Sequence, residues 1–225
     1  MKRIDHNYWI GYEGRDADNE NPDLRKTMQQ LYGSKGFDFG VICDIFHDED
    51  RKNHYRPDGY STYTDLSGGH YLSKHPFRHE AVKNNKELSE RCWSLAGTIA
   101  GELFFPCREI DKKKTINVCR GSIFGLKDMV YPLLESIRRY YDKETEYYPL
   151  KDDIKRYAYF FDRFGSFGEY IEYNLLQDYE LLPKRFPRNE KELVDFWKGS
   201  IEFLEARLRR IEEYAKKNDL FDSDD

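Results

Sequence analysis

The stretch from Asn189 to Ile211 constrains the fold more than any other part of the chain. Asn189, followed three residues later by Glu192, has the pattern of a helix start. Leu193, Phe196, Trp197, Ile201, Leu204, Leu208 and Ile211 then recur at three- and four-residue spacing. That spacing places them along one face of a helix. A stripe of about six turns cannot stay in water, so other elements must be laid against it. Glu205 and Arg209 add a favourable four-residue charge pair. The arginines of 207–210 read as the solvated side of that helix.

Upstream segments supply the partners. Asn21-Pro22 opens a helix carrying Leu24, Met28 and Leu31, which Gly33 stops. FDFGVICDIF (37–46) has the β-branched and aromatic character of a strand. Residues 47–85 are irregular, with Asp58-Gly59 and Gly68-Gly69 punctuating the short strand candidates YSTYT and HYL. From Lys86 the pattern is helical, and Leu88, Cys92, Leu95, Ile99 and Leu103 fall on one stripe. Gly97 and Gly101 leave a flat strip on it for close approach, and Pro106 ends it. A further helix spans 126–141 with Pro132 near its start, and another carries Ile154, Tyr157, Phe161 and Phe164. Ser166 and Glu169 form a capping box for the next, which carries Tyr170, Ile171, Leu175 and Leu176.

These patterns predict an α+β fold, mostly α. A small irregular β-containing N-terminal third packs on a bundle of about five helices. Residues 1–218 form a single globular domain, and 219–225 form a frayed acidic tail. Hydrophobic residues are only 39% of the chain, but aromatics reach 16% and bury a large area each, so a real core is attainable.

Function classes narrow by exclusion. The net charge of −5 argues against a whole surface built for nucleic acid. No stretch approaches the ~20 apolar residues that cross a bilayer, and the N-terminus lacks an apolar run of signal length. The expected location is therefore the cytoplasm. Cys43, Cys92, Cys107 and Cys119 make no CxxC pair and read as small buried hydrophobes. All six histidines lie in the first 79 residues, among acidic side chains, and read as polar loop residues with no metal site. DADNENPD (16–23) lacks the glycine and the final glutamate of a calcium loop. The cofactor, if one is used, is unknown from these motifs.

GRDADNENPDLRK (14–26), FFPCREIDKKKTINVCRG (104–121), ESIRRYY (135–141), RYAYFFDRFGSFGEYIEYNLLQD (156–178) and SIEFLEARLRRI (200–211) occur in this order. Together they resemble a family of bacterial proteins known only as a domain of unknown function. Thr115, Ile116, Asn117, Arg120 and Gly121 match the family's Thr-Ile-Asn and Arg-Gly loop, while Cys107 and Lys112 stand where glycine is common. Pro132 also departs from the pattern. The resemblance implies a bacterial or phage cytoplasmic protein and brings no activity with it.

The loop CREIDKKKTINVCRG (107–121) concentrates polar chemistry. Asn117 donates and accepts, and Arg120 offers a planar fork for phosphate or carboxylate. Arg138 and Arg139 come one helix later. Arg15, Asp16, Asp18 and Asp178 lie in the other matched blocks, so the set could build an anion site with acid–base capacity. The same residues serve equally as a buried network tying the loop to the helices. The first reading makes the partner an anionic small molecule or nucleotide. A second reading is a non-catalytic docking module with a tyrosine-rich face over 55–72 and 140–148. A third is a metal-dependent nuclease, with Asp111 and Lys113 as a D-x-K pair and Asp58 upstream.

Overall fold

The computed structural model describes residue 28, residues 30–37, 61–65, 77–96 and 98–106, residues 113, 116, 119, 120, 123 and 126, and residues 129–220. The strand expected over 37–46 lies almost wholly outside them, as do the Asn21-Pro22 helix start and residues 221–225. The described residues are mostly helical. Strand β1 (Ser61–Asp65) pairs antiparallel with β2 (Glu102–Pro106) in a two-stranded ribbon, Thr62 opposite Phe105 and Thr64 opposite Leu103. The strand candidate YSTYT is thus a strand from Ser61 on.

Between the strands lie α1 (Phe77–Asn84) and α2 (Lys86–Ala96). Helix α1 falls within the stretch 47–85 that reads as irregular, and it begins directly after Pro76, which cannot sit deeper in a helix. Helix α2 stops earlier than its stripe suggests. Thr98 takes over there: its hydroxyl donates to the Leu95 carbonyl at 2.6 Å and accepts from the Ala100 amide at 3.2 Å. A single 3-10 turn, Ile99–Gly101, then feeds into β2, so Leu103 belongs to a strand. Gly101 does mark a close approach, but of backbone: a Cβ there would stand 1.9 Å from the Ala96 carbonyl oxygen.

The chain continues through α3 (Val130–Tyr141), α4 (Lys151–Arg156), α5 (Ala158–Phe161) and α6 (Phe167–Tyr173). The single helix expected around Ile154–Phe164 is two short ones, broken at Tyr157. Ser166 accepts from the Glu169 amide, and the Glu169 carboxylate accepts from the Gly165 amide. The capping box is therefore present, closing one residue further back than the standard pattern. A 3-10 turn (Tyr179–Leu181) leads to α7 (Glu190–Lys217), capped by Asn189 on the Glu192 amide at 2.9 Å.

Helix α7, about 42 Å long at 1.5 Å per residue, organises two cores. Its first half packs Leu193, Phe196, Trp197 and Ile201 against Ala81 of α1 and Cys92 of α2. Its second half closes the larger core, where Phe203, Leu204, Ile211 and Ala215 meet α3 to α6. Rings dominate that larger core: Phe160, Phe161, Phe164 and Tyr170 interlock with centroids 5.2–6.0 Å apart. Burying so many rings offsets the low aliphatic content.

Candidate functional site

Only half of the sequence-derived residues lie among the described ones. Arg15, Asp16, Asp18 and Asn117 lie outside the described residues. Arg138 is held on its own helix by Glu135 at 3.0 Å and Asp142 at 2.8 Å, and Glu135 chiefly raises its pKa. Asp178 accepts from Nε and Nη2 of Arg210 along one edge of the guanidinium, which holds its carboxyl below the ordinary range. Arg120 is only 6% exposed. Of the nuclease residues, Lys113 is exposed, while Asp58 and Asp111 lie outside the described residues. Among the described residues no group of three His, Cys, Asp or Glu side chains could hold a metal ion.

The stretch 207–210 is not a uniformly solvated face. Arg210 is the partner of Asp178, and Arg207 is 1% exposed at the centre of the molecule. One Arg207 nitrogen donates to the carbonyls of Ala100, at 2.7 Å, and Glu102. Two others donate to the Asn174 carbonyl at 3.3 and 3.4 Å, and the Tyr32 hydroxyl completes the set. Tyr32 in turn donates to the Asn174 side chain, which donates to the Tyr170 carbonyl. Burial pulls the Arg207 pKa down, while Tyr32 and Glu102 oppose it. Every donor of the fork has an acceptor, so this network joins β2, the turn after α6 and α7 and leaves nothing for a ligand. Its signal was in the sequence: Arg207 lies three residues after Leu204 and four before Ile211, in phase with the apolar stripe.

A different place has unspent capacity. A cleft of about 630 Å³ opens between the end of α3, the 142–150 loop, α4 and the turn after α5. Tyr140, Tyr141 and Tyr148 line its walls, and Lys143, Lys151 and Lys155 project at its edges. Tyr140 donates its hydroxyl to Asp162 Oδ1, and burial with that bond pushes the phenol well above its usual pKa. Tyr141 donates to the Phe161 carbonyl at 2.8 Å. The Tyr148 ring lies between Arg139 and Lys151, at 5.8 and 5.5 Å, and Arg139 is also paired to Glu144 at 3.3 Å. Lys151 donates to the carbonyls of Thr145 and Glu146, closing the loop on itself.

Lys143 and Lys155 differ from these. Both are exposed, and neither makes an ion pair among the described residues. Lys143 also sits in a costly place. The Glu144 amide bonds back to the Arg139 carbonyl and the Lys143 amide to that of Tyr140, a closure that sets Lys143 at φ 56°. Glycine is the residue this position favours.

The reverse side of α4 receives the end of the 107–121 loop. Cys119 hydrogen-bonds Asp153, which also pairs with Arg156 at 3.0 Å. Burial and Asp153 raise the thiol pKa, so Cys119 is a protonated donor at neutral pH. Cys119 thus meets α4 on the side opposite Lys151 and Lys155. A second groove, about 640 Å³ beside the start of α7, sets Arg185 and Arg188 against Glu192 and Asp195 and selects no sign of charge.

A model of a family of unknown function, DUF6994, matches residues 3–211. No curated protein and no solved structure matches the chain.

Proposed function

The chain belongs to the DUF6994 family of unknown function, from which no activity follows, and we propose that it binds a small anionic, phosphate-bearing ligand in the tyrosine-walled cleft. One observation carries this reading. Lys143 and Lys155, both without an acidic partner among the described residues, edge a cavity large enough for a small molecule. The other cations nearby are spent: Arg139 on Glu144, Lys151 on two carbonyls, Arg138 on Glu135 and Asp142. The anion site proposed here lies at the front of α4, whose other side meets Cys119 of the 107–121 loop. The finer architecture, an α+β domain with a β-containing N-terminal third, belongs to the same proposal. So do a bacterial origin, which rests on the resemblance of the ordered sequence blocks, and a cytoplasmic location, with which the free thiols of Cys92 and Cys119 agree.

A thermal-shift titration with inorganic pyrophosphate tests it. At ~100 times its dissociation constant, a ligand adds about 2.7 kcal/mol, roughly 5–10 °C for a chain of this size. The shift should vanish in Lys143→Gly with Lys155→Ala, while circular dichroism stays native. An equal shift in that double variant would sink the assignment.

A second reading, docking of a protein on the same face, is favoured by Tyr147, 83% exposed in the loop beside the cleft. Under ligand binding, Tyr147→Ser leaves the pyrophosphate shift unchanged. Under docking, pyrophosphate gives no shift in any variant.

A further inference from the structure

An anion entering this cleft meets carboxylates as well as ammonium groups; Glu144 is paired to Arg139 and Lys151 is bonded to two carbonyls, which leaves Asp162 facing Lys143 and Lys155. Asp162 lines the same cavity as Lys143 and Lys155. A carboxylate only accepts hydrogen bonds, so it repels a bare phosphate and attracts a ligand bearing donors. Its placement is defined. Tyr140 occupies Oδ1, and no second partner takes Oδ2 among the described residues. The Tyr140 ring is itself fixed edge-on to Tyr141 at 5.4 Å and against Phe161 at 5.9 Å, so the phenol holds the carboxylate in one orientation. A hydroxyl-bearing ligand satisfies the remaining oxygen, and pyrophosphate does not.

We infer that the cleft selects a phosphate ester whose alcohol part carries a free hydroxyl, such as a sugar phosphate or a ribonucleotide, with Lys143 and Lys155 on the phosphate and Asp162 Oδ2 accepting from that hydroxyl. This rests on the anion-binding reading above and adds to it the neutral half of the ligand. Tyr140 is a positioning residue for Asp162.

Calorimetric titration of the full chain with pyrophosphate, ribose 5-phosphate, adenosine diphosphate and its 2′,3′-dideoxy analogue separates the two claims. The diphosphate should bind at least ~10-fold tighter than its dideoxy analogue, as loss of a hydrogen bond to a charged acceptor requires. Asp162→Ala should remove that preference while leaving pyrophosphate as tight or tighter, and Tyr140→Phe should weaken the preference without abolishing pyrophosphate binding. Ribose 5-phosphate binding as tightly as the nucleotide identifies a sugar-phosphate site; tighter nucleotide binding assigns the remaining tyrosine surface to the base. Equal affinity for the diphosphate and its dideoxy analogue, or an equal gain for every probe in Asp162→Ala, overturns the hydroxyl assignment and leaves the anion site standing. Absence of binding by all four probes overturns both.

Discussion

Replacing Lys143 by glycine should make the protein more stable and less able to bind an anion. The α3 helix closes with Lys143 at φ 56°, in the left-handed region that costs a side-chain-bearing residue roughly 1–2 kcal/mol. Glycine removes that cost and gives back some of it, roughly 0.4–1 kcal/mol, as extra freedom in the unfolded chain. The side chain is exposed and makes no ion pair among the described residues, so little else is lost. The net gain is about 0.5–1 kcal/mol, or a melting temperature higher by roughly 1–4 °C. Two other helices end the same way, which sharpens the comparison. Leu175, at φ 56°, is held there by its buried side chain, and Asp219, at φ 53°, is of a type that tolerates the conformation. Neither reason applies to Lys143. Lys143→Ala, which keeps the strain and removes the ammonium, is the control. Melting curves with and without pyrophosphate read both effects. A glycine variant that melts lower than the parent refutes the strain argument. One that melts higher yet binds as before refutes the claim that the lysine is kept for its charge.

Other perturbations give equally definite outcomes. Arg207→Ala should cost about 3–5 kcal/mol in urea unfolding, because the carbonyls of Ala100, Glu102 and Asn174 lose their donor and the buried Glu102 side chain its countercharge. Arg207→Lys should recover little, since an ammonium lacks the fork that reaches all three. Gly101→Ala should cost roughly 3 kcal/mol or prevent folding, as its Cβ would meet the Ala96 backbone. Tyr170→Phe should be neutral or slightly stabilising, because the hydroxyl it deletes is buried without a partner among the described residues. Lys35 gives a pH signature: burial, with Arg207 adding to it, lowers its pKa from 10.5 to about 8. Between those values the unfolded chain holds the extra proton, so this lysine makes stability rise with pH from about 8 upward. Buried tyrosines such as Tyr141 and Tyr173 act oppositely above about pH 10, where only the unfolded phenols ionise. Melting temperatures across that window should lose the rise in Lys35→Met.

The helical half was legible where sequence signals are local. Asn189 with Glu192 and Ser166 with Glu169 cap the helices they were expected to cap, because a cap needs only neighbours. What failed was non-local. Leu103 continues the stripe of α2 by spacing alone, yet Thr98 diverts the chain and the pairing with β1 turns that segment into a strand. Glu205 was matched with Arg209 on its own helix, but it bridges to Arg91 of α2, which no spacing rule reaches. The cleft is non-local in the same way. Tyr140 and Lys143 come from the end of α3, Lys155 from α4 and Asp162 from the turn after α5, and no spacing rule joins them at one cavity. One local sign was present: Asp-Lys-Glu follows the Tyr-Tyr end of α3 with no glycine where a helix of this kind usually has one.

Arg207 and Lys143 show how buried and exposed cations divide the work of such a chain. A guanidinium at 1% exposure is tolerable only with its donors filled, and Arg207 fills them with carbonyls from β2 and the turn after α6. The same saturation that makes it a good cross-link disqualifies it as a ligand site. Lys143 bears the opposite signature: its backbone is held at a cost, its ammonium is unspent among the described residues, and solvent reaches it. A strained position whose side chain stabilises nothing nearby is the observation on which the proposed anion site rests, and the cleft beside it is what the variants at Lys143 test. The functional surface of this protein is therefore to be sought where polar capacity remains, at the Tyr140–Asp162 edge, rather than where polar residues are most concentrated in sequence.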